Sequence, residues 1–123
     1  MEEKKKRSRA EIGKASREKG ARGERDLANL LRDEYNFDTR RGSVFRRESD
    51  IVGLSGVHVE VKVYGKTLNL YGALKQAEKE ALKRGDGVPT VFHKKDYKGW
   101  LVTMNLSDWI NLYVGRAYGG WVT

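Results

Sequence analysis

The stretch Ser49-Asp50-Ile51-Val52-Gly53-Leu54-Ser55-Gly56-Val57-His58-Val59-Glu60-Val61-Lys62 decides the fold of this chain. From Val57 to Tyr64 it alternates strictly, with valines on one face and His58, Glu60, Lys62 and Tyr64 on the other, the period of a strand. Residues 49–54 read as a partner strand, joined to it by a tight turn. A two-residue loop at Ser55-Gly56 would pair Leu54 with Val57 and turn Asp50 to the valine face. A three-residue loop, Leu54-Ser55-Gly56, puts glycine where the left-handed conformation is common and pairs Gly53 with Val57. Asp50 then stands opposite Glu60, with Cβ atoms about 5 Å apart. The three-residue loop is the expected register. Two carboxylates that close repel unless a cation sits between them, and Lys62 follows on the same face, roughly 6.5–7 Å further along.

Outward from this hairpin, residues 10–35 carry a helical pattern in which Glu24, Leu27, Ala28, Leu31 and Tyr35 form one stripe. Gly20 and Gly23 weaken its middle and predict a break near residue 20. Asn36-Phe37-Asp38 ends the helix, and residues 39–47 read as a basic loop or extended segment. A second helix spans 70–84, capped by Asn69, ended by Gly85, with Leu70, Ala73, Leu74, Ala77 and Ala81 on its apolar face. Residues 88–93 and 100–104 read as strands around the turn Asp96-Tyr97-Lys98-Gly99. Ser107 is the expected cap of a short helix ending at Leu112. Of the late aromatics Trp100, Trp109, Tyr113, Tyr118 and Trp121, most are expected in the core.

A chain of 123 residues with one proline and 38% hydrophobic residues suits a single folded domain. Residues 1–9 read as a basic flexible tail and 10–123 as the domain. The net charge is +8, and the first 25 residues hold ten Lys/Arg against five Asp/Glu. Such a balance suits a polyanionic partner, nucleic acid before an anionic membrane, because no basic amphipathic stretch has a bulky apolar face. The absence of cysteine excludes disulfides and thiolate metal sites, and fits the reducing cytoplasm. No apolar run reaches transmembrane length, and Met1 opens a charged stretch unlike a signal peptide.

Paired carboxylates beside a lysine are the equipment of metal-dependent phosphodiester hydrolysis. Glu24 continues the apolar stripe of its helix and is therefore expected to face the sheet, where a charge wants a partner. His58 shares the acidic face, but a lone histidine reads as a packing or surface residue, and His93 likewise.

Together, Gly20-Ala21-Arg22-Gly23-Glu24-Arg25-Asp26-Leu27, Arg41-Gly42-Ser43, Asp50-Ile51-Val52 and Glu60-Val61-Lys62 resemble, in order and spacing, the archaeal-type Holliday junction resolvases of the PD-(D/E)XK nuclease superfamily. The resemblance runs over roughly residues 17–80 and is less clear beyond 85. It implies a restriction-endonuclease-like α/β fold, a mixed β-sheet core flanked by helices. It also implies a Mg²⁺-dependent endonuclease, with Mn²⁺ as substitute, that resolves four-way DNA junctions and leaves 5′-phosphate and 3′-hydroxyl ends. By this resemblance Glu24, Asp50 and Glu60 act with the metal, joined by the Val61 carbonyl, Lys62 completes the site, and Ser43 matches a catalytic serine. Ser49 departs from the usual proline before the aspartate. Arg22, Arg25, Arg40, Arg41, Arg46, Arg47 and Lys66 are candidate phosphate contacts, and Gln76 is a polar residue within reach of the site. A homodimer is implied, because a four-way junction needs two symmetric incisions. Two other readings stay open: a nicking, flap, repair or restriction-like endonuclease of the same superfamily, and a noncatalytic nucleic-acid-binding module. The second leaves the arrangement of Glu24, Asp50, Glu60 and Lys62 unexplained.

Overall fold

The first helix, α1, runs unbroken from Arg9 to Tyr35 in the computed structural model, which describes residues 8–117. Ser8 caps it, its side chain accepting from the Glu11 N–H, and Asn36 closes it in the left-handed conformation at φ 61°. Ser8 and Arg9 thus belong to the helix rather than to a tail, and the rest of the expected tail, residues 1–7, lies outside the described residues. The break expected near Gly20 does not occur. Gly23 has a packing reason to be there: a Cβ at that position would stand 2.6 Å from Val63 Cγ2, so glycine lets α1 lie close on the sheet. Leu27 and Ala28 are buried there, while Tyr35 runs past the edge into solvent.

The strands follow in the order β1 Arg40–Arg41, β2 Ile51–Val52, β3 Val57–Tyr64, β4 Val88–Lys95 and β5 Leu101–Thr103, with helix α2 at Leu70–Arg84 between β3 and β4 and α3 at Leu106–Ala117 after β5. β3 and β4 are parallel, with Glu60 beside Val91, and β5 returns antiparallel to β4. This makes a mixed α/β sheet with helices on both faces. Val59 and Val61 pack with Leu27, Ala28 and Ile51 under α1, and Val91 packs with Ala73, Leu74 and Ala77 under α2. The small residues on α2 let it approach β4 closely. Its bounds match the sequence reading, because both signals are local: Asn69 Oδ1 accepts from the Gly72 N–H and Gly85 is left-handed at φ 64°. Pro89 lacks a donor but sits in a part of β4 that pairs with β3 only.

The expected hairpin register is corrected. The turn is closed by Val57 N–H donating to the Leu54 carbonyl at 3.1 Å, a two-residue Ser55-Gly56 turn with Gly56 at φ 80°. Asp50 nevertheless does not turn away, because β2 is no regular partner of β3. β2 pairs antiparallel with β1, Arg41 beside Ile51, and β1 lies in the segment read as a basic loop or extended stretch. The chain is re-aimed at Gly53, at φ 116° against the backbone of Asp38, where any side chain would collide. Between the strands the Asp50 N–H donates to the Val59 carbonyl at 3.1 Å.

Helix α3 is longer than expected and starts before Ser107, with Trp109 N–H bonding the Asn105 carbonyl at 3.0 Å. Its aromatics are not core. Trp109 and Tyr113 are exposed and stack on each other at 5.3 Å, while Trp100 is half-buried beside the α1 core. Tyr118 and Trp121 lie outside the described residues. Among the described residues no helix is long and apolar enough to cross a membrane.

Candidate active site

Asp50 brackets Glu60. Its N–H bonds the Val59 carbonyl, and its Oδ2 accepts from the Val61 N–H at 2.8 Å, so the carboxylate stands in for a missing ladder carbonyl. The backbone on both sides of Glu60 is thereby tied to Asp50. Glu60 is 8% exposed and lies on the α2 face of β3, in register with the core residue Val91. Burial, then the nearby Glu60 charge, pushes Asp50 up to about 6, with Glu24 adding to the rise and the Val61 N–H and Lys62 opposing it. Lys62 does not cross-link to Glu60. Its Nζ donates to Gln76 Oε1 at 3.1 Å, so Gln76 on α2 meets Lys62.

Glu24 faces the sheet as expected but is held by Arg41, whose Nε donates to Oε2 at 2.6 Å. With that ion pair made, the three-carboxylate ligand set expected from Glu24, Asp50 and Glu60 is not gathered: among the described residues no three His, Cys, Asp or Glu side chains converge on one point. Two carboxylates still fit Mg²⁺, which keeps several waters and is commonly bound through one or two carboxylates. The unfavourable charge at Asp50 is the signature such a cation would relieve.

A second network was not legible in the sequence. His58, 1% exposed, lies with Nδ1 2.8 Å from Asp86 Oδ1 and with Nε2 at an ion-pair distance of 3.6 Å from Glu60 Oε2. Ser49 Oγ donates to Asp86 Oδ2 at 2.6 Å. Burial works against a charged imidazole, yet Glu60 and Asp86 together outweigh it and raise the His58 pKa. Replacing His58 by Ala should therefore destabilise the protein by about 3 kcal/mol, since it strands the buried Glu60 and takes a partner from Asp86. The sign follows from the raised folded pKa. The charge-dependent part of that stabilisation is complete below the unfolded histidine value near 6.5 and fades as pH rises through the folded one, so the gap between urea melts of the two proteins should narrow in alkaline buffer.

Neither a family model nor a curated protein matches this chain. Among solved structures, that of Hjc from Archaeoglobus fulgidus, a Holliday junction resolvase from an archaeal hyperthermophile, does. It superposes with a TM-score of 0.51 at 26% identity, over 70% of this chain and 72% of that one. In fold and sequence the chain is similar to an archaeal Holliday junction resolvase. Its Ser49, where a resolvase usually has proline, now has a local reason: the hydroxyl holds Asp86.

Other residues marked by the resolvase resemblance are placed differently. Ser43 bonds within its own turn, its N–H donating to Glu48 Oε1 at 3.1 Å and its Oγ accepting from the Arg46 N–H at 3.4 Å. No hydrogen bond of the described structure takes it to Asp50 or Glu60. Arg40 grips Glu48 with both terminal nitrogens, at 3.0 and 2.7 Å, and holds that carboxyl down to about 2. Arg40 and Arg41 are thus carboxylate partners first, whereas Arg22, Arg25, Arg46, Arg47 and Lys66 stand exposed.

Proposed function

We propose that this chain is a Mg²⁺-dependent endodeoxyribonuclease that resolves four-way DNA junctions, with Mn²⁺ as a working substitute. The observation that carries the reading is the clasp of Asp50 around Glu60, with Lys62 next on the same face, in a fold shared with a junction resolvase. Asp50, Glu60 and the Val61 carbonyl would hold the metal. When bound, the metal lowers the pKa of water and offsets charge developing on the phosphate. Lys62, tethered by Gln76, holds its ammonium beside that phosphate and steadies the same charge. Glu24 acts through Arg41 and through its field at Asp50, rather than as a first ligand. The exposed arginines on α1 and in the 43–48 turn give the phosphate contacts and a steep dependence on salt. In a cell the protein works in the cytoplasm, on DNA.

The reading is tested by its products. Paired nicks placed symmetrically across the branch point, with ends that ligase reseals directly, are expected; single nicks at flaps or in plain duplex, or ends that ligase refuses, would favour a different nuclease of the superfamily.

Two symmetric incisions call for a dimer. Helix α3 exposes Leu106, Trp109, Ile110, Leu112, Tyr113 and Val114, an apolar surface that a lone helix in water would not keep. Light scattering should give twice the monomer mass, and Ile110→Asp should reduce it to the monomer and turn paired incision into single nicking.

A further inference from the structure

The turn between β1 and β2 carries an apolar apex. Phe45 is 100% exposed and Val44 83%. Single exposed apolar residues are ordinary, but these two are adjacent, followed by the exposed Arg46 and Arg47, and mounted on a braced turn. Arg47 N–H bonds the Val44 carbonyl and Glu48 N–H the Ser43 carbonyl, both at 3.1 Å, and Arg40 clamps Glu48 from β1. Arg47 is held at φ 53°, a conformation that non-glycine residues rarely adopt without the surroundings enforcing it. The feet of the turn stand on the site: Arg41 on Glu24, and Gly42 N–H on the Asp50 carbonyl at 2.9 Å.

We infer that the Val44-Phe45 apex is a wedge that enters the base stack at the branch point of the DNA. This deepens the junction-nuclease reading and rests on it. The chemistry on the page suits that occupant. An aromatic ring stacks on any base face, so it needs no sequence preference, and flanking guanidiniums meet the phosphates on either side of an opened step. An apolar protein surface for the ring would leave the exposed Arg46 and Arg47 beside it without anions. Insertion is easiest where stacking is already interrupted, so a wedge on a braced turn beside the carboxylates converts branched structure into selectivity. The bracing fixes the backbone that carries the ring, and the ring itself stands fully in solvent.

The test uses the full-length protein and a four-way junction with 2-aminopurine at the branch point, in Ca²⁺ for binding and Mg²⁺ for cutting. Wild type should raise the fluorescence severalfold as the base unstacks. Phe45→Ala should bind within about threefold, because phosphate contacts dominate affinity, yet lose the fluorescence rise and cut on the order of tenfold more slowly. Phe45→Trp should restore both. Its exposure predicts that Phe45→Ala melts like wild type; a variant that unfolds would show the ring to be structural and overturn the inference. So would a Phe45→Ala protein with the full fluorescence rise, or a wild type that binds and cuts the junction without unstacking it. A wild type that neither binds nor cuts the junction in preference to duplex would instead overturn the reading beneath.

Discussion

Replacing Glu60 by Gln should slow junction cleavage in Mg²⁺ on the order of a thousandfold, the scale lost when one preorganised charge partner of a transition state is removed, while affinity for the junction in Ca²⁺ stays unchanged. The reason lies in where Glu60 is. It is buried, its backbone is tied on both sides to Asp50, and His58 stands beside its Oε2, so the carboxylate is fixed in place and turned from bulk water. An amide keeps the volume but removes the charge a divalent ion needs. None of the exposed arginines depends on it, so binding is spared. Retained cutting by Glu60→Gln in protein free of contaminating nuclease would remove Glu60 from the mechanism.

Replacing Asp50 by Asn should abolish cutting and also make the protein more stable. Asn keeps an oxygen to accept the Val61 N–H, but it carries no charge beside Glu60 in a buried setting. Asp50 binds its proton more tightly in the fold, with a pKa raised from the ordinary 3.8 to about 6, so the ionised form opposes folding. The sign is the reverse of the usual aspartate. The penalty is absent below 3.8, grows as pH rises, and is complete above about 6. At pH 7.5 without divalent ions, Asn should be worth about 2 kcal/mol, a rise of several degrees in Tm. The advantage should vanish in melts near pH 3.5. It should also shrink when Mg²⁺ is added, because the metal stabilises wild type alone. A variant no more stable than wild type at neutral pH would mean that Asp50 is not charge-frustrated.

What was legible in the sequence depended on distance along the chain. Helix α2 was readable to the residue, because Asn69 and Gly85 act on their own neighbours. The closeness of Asp50 and Glu60 was readable as well, but not the means. The turn is the two-residue one that a regular hairpin would forbid, and it works because β1 captures β2 while Gly53 bends the chain against Asp38. Both contacts come from the stretch after the first helix, where local pattern does not choose between loop and extended chain. The break predicted at Gly20 failed for a similar reason, since Gly23 is a packing choice against Val63 rather than a weak point. His58 is buried, as a packing histidine would be, but its partner was not legible, because Asp86 reaches it only through the α2 crossover that lays β4 beside β3. Periodicity says which face a residue takes; it does not say who arrives there from 28 residues away.

The central claim is that the Asp50–Glu60 clasp makes a metal-dependent nuclease for branched DNA, and one paired assay tests it most directly. Wild type and Glu60→Gln, purified identically, are given a four-way junction and a duplex of equal length in Mg²⁺. The account predicts rapid cutting of the junction by wild type, little of the duplex, and neither by the variant. Equal cutting of both substrates, or cutting that survives in Glu60→Gln, would contradict it.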